Sequence, residues 1–163
     1  MFGLGVRPST ELADAAGLVV DDGIVVDELL RTEDEHVYAA GDVASYPDAI
    51  LGRRRVEHVD NATEMGKAAG RNMAGANEPY SYTPYFYSDV YDDGYQAVGT
   101  VSTSMDTVED WKTVGKEGVV YYLDDEAVVR GVLMWNVLEG LDVARNLLAE
   151  KKPQSEQSLR GLI

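Results

Sequence analysis

The stretch VYAAGDVA, Val37 to Ala44, runs small and apolar residues directly into a carboxylate. A buried carboxylate without a partner costs about 3–5 kcal/mol, so Asp42 at the end of an apolar run needs an explanation. Two are open: Asp42 caps the element that follows, or it meets a ligand there. Gly41 beside it allows the backbone to approach closely whatever is bound. The run itself, HVYAAGDVA (36–44), reads as a strand of the kind buried on both faces.

Outward from that strand, composition bounds the rest. The 163 residues are 45% hydrophobic, enough for one ordinary domain or one and a fraction. No apolar run approaches the 18 residues of a membrane span, and no basic-then-apolar leader opens the chain. These features give the expectation of a cytoplasmic chain. Zero cysteines exclude disulfides, thiolate catalysis and thiolate metal sites within the sequence, and two histidines argue against a metal centre. The formal charge of −15 repels phosphate backbones, so nucleic acid is not an expected partner. An acidic, lysine-poor surface of this kind also fits a chain that works in concentrated salt.

Gly3-x-Gly5 near the start lacks a strand-loop-helix context and reads as a strand end and turn. STELADAAGL (9–18) reads as a short helix, with Ser9 or Thr10 at its start and Gly17 as its stop. Asp21-Asp22-Gly23 is a turn, followed by a β-branched strand at 24–26. After a loop with Pro47 and Gly52, residues 60–73 read as a helix. Ala62, Met65, Ala69 and Met73 share one of its faces, and Asp60 or Asn61 caps it. Gly66 and Gly70 strip another face of side chains, which predicts close packing against a second backbone. Residues 75–89, rich in proline and tyrosine, read as a linker with a boundary near Glu78.

Beyond it lie strands at 95–102, 117–123 and 127–135, the last two joined by the acidic turn Asp124-Asp125-Glu126. A closing helix places Leu141, Ala144, Leu147 and Leu148 on one face and stops before Pro153. The final ten residues are polar and expected to be mobile. The fold class is thus α/β followed by α+β: an incomplete α/β unit over 1–76, then a small antiparallel sheet with flanking helices over 77–163.

Taken together, these segments resemble a known group. GVRPSTELADAAGLVVDDGIVVDELLRTEDEHVYAAGDVA resembles the flavin-domain return segment of flavoprotein reductases with two dinucleotide folds. RVEHVDNATEMGKAAGRNMAG is similar to the flavin-edge segment of ferredoxin-reductase-like enzymes. PYFYSDVYDDGYQAVGTV and GVVYYLDDEAVVRGVLMWNVLEGLDVARNLLAE resemble the C-terminal domain of the apoptosis-inducing-factor family. The resemblance covers nearly residues 3 to 150. It implies that residues 1–76 are the end of a Rossmann-type FAD-binding domain and 77–163 a reductase C-terminal, dimerisation or interface domain. It also implies that the chain is the C-terminal portion of a longer protein whose GxGxxG and pyridine-nucleotide domain lie upstream.

The resemblance implies FAD and NAD(P)H as cofactors, and an iron–sulfur protein, quinone or small molecule as acceptor. It assigns cofactor contacts to Gly41, Asp42 and Val43, to Glu57, His58 and Val59, and to Tyr87, with no covalent catalyst and no metal ligand. Val59 departs from the tryptophan or histidine frequent there, and valine neither stacks nor donates a hydrogen bond. Glu57-His58 also reads as an exposed loop pair, and Tyr87 and Trp135 as packing residues. Arg53 to Arg55 read as a solvated run, or as a site for a phosphate or an acidic redox partner. A homodimer is expected, the isolated chain is expected to be colourless and inactive, and the competing reading is a non-catalytic dimerisation module.

Overall fold

The computed structural model describes residues 5–163; the start of the Gly3-x-Gly5 pair lies outside them. The chain divides into two compact units, Met1–Tyr82 and Thr83–Ile163.

The first unit begins with α1, Glu11–Ala15. Its N-cap residue Thr10 makes no side-chain cap; its hydroxyl donates instead to Asp14 at 2.9 Å. Gly17, at φ +77°, ends the helix as expected. The short strand β1, Ile24–Val25, pairs in parallel with β2, Ala44–Asp48, and β2 pairs antiparallel with β3, Gly52–Arg54.

Here the fold corrects the reading of the decisive stretch. Residues 37–40 are extended, with only an isolated bridge between Tyr38 and Arg31. Gly41–Val43 form a 3₁₀ turn, and the strand comes after the Gly-Asp pair. The cause is backbone conformation: Gly41 sits at φ +77°, which turns the chain before Ala44 enters the sheet. Pro47 lies within β2, in a sheet of three strands.

The long helix α2, Val59–Met73, carries the core of this unit. Met65, Ala68 and Ala69 are buried against Val26, Leu30, Ala39, Tyr46 and Tyr80. Met73 is 66% exposed rather than buried. Gly66 and Gly70 do not pack against a backbone: among the described residues nothing lies within 4 Å of a side chain built there. Asn61 and Asn72 are used inward rather than as caps. The Asn61 amide donates to the Val56 carbonyl at 3.2 Å, and its oxygen accepts from the Tyr80 hydroxyl at 2.9 Å. Asn72 donates to the carbonyls of Leu29 and Glu78 and accepts from the Glu78 amide. These bonds tie residues 77–82, expected to open the second unit, into the first.

The second unit is a five-stranded antiparallel sheet in the order β4-β5-β8-β7-β6. Its strands are β4 Tyr85–Val90, β5 Asp93–Gly99, β6 Asp106–Thr113, β7 Glu117–Leu123 and β8 Val129–Trp135. β4 arises within the expected linker, and β6 was not expected. The β7–β8 hairpin closes as read, with Asp124 accepting from the amides of Glu126 and Val128. Helix α3, Leu141–Glu150, buries Ala144, Leu147 and Leu148. The C-terminal residues are ordered rather than mobile. Pro153 bridges Val128, Ser155 and Ser158 form a capping box at the start of α4, Glu156–Leu159, and Leu159 is fully buried. Among the described residues no helix is long and apolar enough to cross a membrane.

Candidate functional site

In the first unit the 3₁₀ turn packs on the first turn of α2. A Cβ on Gly41 would stand in ordinary contact, 3.4 Å from the Cβ of Ala62, so it is the dihedral angle, φ +77°, that favours glycine here. The Gly41 amide donates to the Met65 sulfur at 3.2 Å, which anchors the turn to the buried face of the helix. This contact brings Gly41, Asp42 and Val43 together with Glu57, His58 and Val59. Tyr87 belongs to the second unit.

The opening question about Asp42 has a structural answer in two parts. Asp42 is exposed, so the burial penalty does not arise. Nor does it cap: the 3₁₀ turn has no side-chain cap, and among the described residues the Asp42 carboxylate accepts no hydrogen bond. Its charge faces His58 instead.

Arg55 is the residue that organises this corner, where the sequence offers a solvated run or a site for a phosphate or an acidic redox partner. Its side chain is 13% exposed. The guanidinium donates to the Asp42 carbonyl at 3.0 Å, to Asp22 at 3.1 Å and to the Glu57 carboxylate. One planar fork of donors therefore links the 3₁₀ turn to the segment entering α2. Close approach of the turn at Gly23 completes the arrangement, since a Cβ there would lie 2.6 Å from the Val43 carbonyl. Arg53 is also committed internally, to the carbonyls of Val26 and Ser45. The only sign of these roles in the sequence was three arginines in an acidic chain.

Arg55→Met should destabilise the first unit by about 1–2 kcal/mol, because both of its carboxylate partners, Asp22 and Glu57, are exposed and the Coulombic share is screened. Urea unfolding followed by far-UV circular dichroism measures this. A loss below about 0.5 kcal/mol, the range of ordinary surface substitutions, would mean that the fork links nothing.

His58 is the N-cap residue of α2, in extended conformation and without a side-chain cap. The start of α2 carries the partial positive charge of a helix N-terminus. Desolvation lowers the His58 pKa from its ordinary value, opposed by the charge of Asp42 and assisted by Arg54. The ring is therefore neutral at pH 7. Val59 is 76% exposed at the helix start.

These features fit a flavin. A glycine turn without a Cβ, an exposed carboxylate, and an uncapped helix start together offer a ribityl acceptor and a positive pole. No three of His, Asp and Glu gather to hold a metal ion among the described residues.

In the second unit Tyr87 is 58% exposed and stacks on Tyr85, with ring centroids 6.0 Å apart. Trp135, read as a core residue, stacks on Tyr95 at 6.0 Å.

Both units match known protein families. Residues 1–66 match the family described as pyridine nucleotide-disulphide oxidoreductase. Residues 69–117 and 109–150 match the C-terminal family of apoptosis-inducing factor, mitochondrion-associated. The chain is 37% identical to apoptosis-inducing factor 1, mitochondrial, of Dictyostelium discoideum, over 91% of this chain and 30% of that protein. It is 34% identical to the ferredoxin–NAD(+) reductase component of the anthranilate 1,2-dioxygenase system of Burkholderia cepacia, over 98% of this chain and 39% of that one. The ferredoxin reductase for the CYP199A2 system of Rhodopseudomonas palustris superposes with a TM-score of 0.83 at 31% identity, covering 95% of this chain and 38% of that chain. The chain thus spans about a third of the length of the curated relatives it matches.

Proposed function

Because this chain belongs to the pyridine nucleotide-disulphide oxidoreductase flavoproteins of the ferredoxin reductase and apoptosis-inducing-factor group, we propose that it is the C-terminal part of an FAD-dependent NAD(P)H oxidoreductase. Electrons pass from NAD(P)H through FAD to a ferredoxin-like protein or a small acceptor. A similar structure, at a TM-score of 0.81 and 29% identity, is a putidaredoxin reductase in covalent complex with putidaredoxin. That pairing supports a protein acceptor here. A homodimer and a cytoplasmic setting belong to the same proposal, and their support is the family resemblance and the composition.

The observation that carries the reading is the Arg55 fork, which holds the Gly41–Val43 turn against the start of α2. FAD, when bound, accepts hydride from NAD(P)H and releases electrons to the acceptor. The residues here hold and tune it. Asp42 presents a carboxylate for a ribityl hydroxyl, a charge-assisted bond of about 1.5–3 kcal/mol. The N-terminus of α2 stabilises negative charge gathering at the ring's polar edge. Neutral His58 and Glu57 flank the place for the nicotinamide. The 163 residues contain no GxGxxG loop for the far phosphates. The chain alone is therefore colourless and inactive in this reading.

His58→Ala tests the assignment in the full-length reductase. Losing one polar contact of about 1 kcal/mol slows reduction by NAD(P)H roughly fivefold, with flavin content kept. Equal stopped-flow rates for wild type and variant would remove His58 from the site.

A further inference from the structure

The backbone that carries Asp42 is clamped on both sides of that residue. Before it, the Gly41 amide donates to the Met65 sulfur at 3.2 Å; after it, the Asp42 carbonyl accepts from Arg55 at 3.0 Å. We propose that Met65 is a positioning residue for the cofactor: its sulfur fixes the chain entering Asp42, and so aims the Asp42 carboxylate at the flavin. The proposal rests on the flavin reading of this corner.

The bond exists because of where Gly41 turns the chain. At φ +77° this glycine leaves the extended run of residues 37–40 and starts the 3₁₀ turn Gly41–Val43. The first amides of such a turn find no partner within it, and Gly41 is buried. A buried amide takes an acceptor or costs stability. Met65 supplies the acceptor from the inward face of α2, 24 residues further along the chain.

A thioether accepts weakly, but here it does so where bulk water does not compete. Met65 is fully buried, in the cluster formed with Val26, Leu30, Ala39, Ala44 and Tyr46. The second clamp is of another kind. Arg55 is tied to Asp22 and Glu57, both exposed, and salt screens those pairs. The neutral, buried bond to Met65 holds the turn at any ionic strength.

The Asp42 side chain contributes nothing to its own placement. It is exposed, and among the described residues its carboxylate accepts no hydrogen bond. Its direction therefore follows from the backbone on either side. A binding group held in its bound orientation loses less freedom when the ligand arrives, and a loosely supported one loses affinity. Leucine at position 65 would fill nearly the same space, yet leave the Gly41 amide buried without its acceptor. The sulfur, not the bulk, is what the turn uses.

The test is a double-mutant cycle in the full-length reductase, with FAD affinity measured by titrating the apoprotein and following flavin fluorescence. Met65→Leu should weaken FAD binding about three- to tenfold, the scale of one ordered side chain. In the Asp42→Ala background the same change should weaken it no further, because Met65 acts through Asp42. A merely structural role would give the same loss in both backgrounds. Met134→Leu, at another fully buried methionine but in the second unit, should leave FAD binding unchanged. Urea unfolding of each apoprotein checks the fold. Norleucine incorporated for methionine, which replaces sulfur by a methylene, is a second form of the test and predicts the same coupling to Asp42. Wild-type affinity in Met65→Leu, an additive loss in the double variant, or an equal loss in Met134→Leu overturns the proposal while Asp42→Ala still weakens binding. Wild-type affinity in Asp42→Ala itself removes the flavin from this corner and takes the role of Met65 with it.

Discussion

Replacing Asn72 by leucine should cost the first unit about 3 kcal/mol. Asn72 is 5% exposed and makes three hydrogen bonds at 2.8 to 2.9 Å, to the Leu29 carbonyl and to both backbone groups of Glu78. Leucine keeps the volume but leaves two carbonyls and one amide without their partner. Each buried unsatisfied group costs about 1–3 kcal/mol. Partial access of water to the Glu78 end keeps the sum near the low end. Against a domain stability of about 5–15 kcal/mol, this is a large fraction. The Glu28 carbonyl also accepts from the Tyr80 amide at 2.8 Å, so the same loop is held twice to the returning chain. The variant should therefore also free residues 74–82 to proteases before the rest of the unit opens. Urea unfolding with mass analysis of early cleavage sites measures both effects. A loss under about 1 kcal/mol would show that the amide is not the clasp between α2 and the segment that follows it.

What the sequence made legible follows from how strongly each residue's role is marked locally. Ala144, Leu147 and Leu148 recur at helical spacing, so the buried face of α3 is readable directly. The β7–β8 hairpin is marked by β-branched runs on either side of an acidic turn. The start of β2 was not readable, because Ala39, Ala40 and Ala44 suit an extended run on either side of Gly41. Only the positive φ of that glycine places the strand after it. β6 was hidden because it is a sheet edge: Asp106, Glu109, Asp110 and Lys112 carry charge on a strand that buries little. Asn61 and Asn72 are residue types that favour caps, so buried amides inside a helix gave no separate signal.

The candidate site shows the same division. Gly41, Asp42 and His58 were named through the resemblance, and their proximity is a property of the fold. Arg55 was missed because its three partners, Asp22, Asp42 and Glu57, come from separate segments of the chain. Leu159 anchors the C-terminal residues, and with Leu162 and Ile163 as the only leucine or isoleucine beside it in a polar run there is too little pattern to distinguish order from mobility.

The flavin reading makes its largest claim at Asp42. The carboxylate is exposed, caps nothing, and sits on a turn held by Met65 and Arg55. Its removal should therefore leave the fold intact and act on the ligand alone. Retention of FAD by the full-length reductase carrying Asp42→Ala, followed by absorbance after extensive dialysis, is the direct measurement. The account predicts weaker retention by about 1.5–3 kcal/mol, roughly ten- to a hundredfold, with unchanged unfolding of the apoprotein. Flavin content equal to wild type after the same dialysis would contradict it and take the cofactor away from this corner of the first unit.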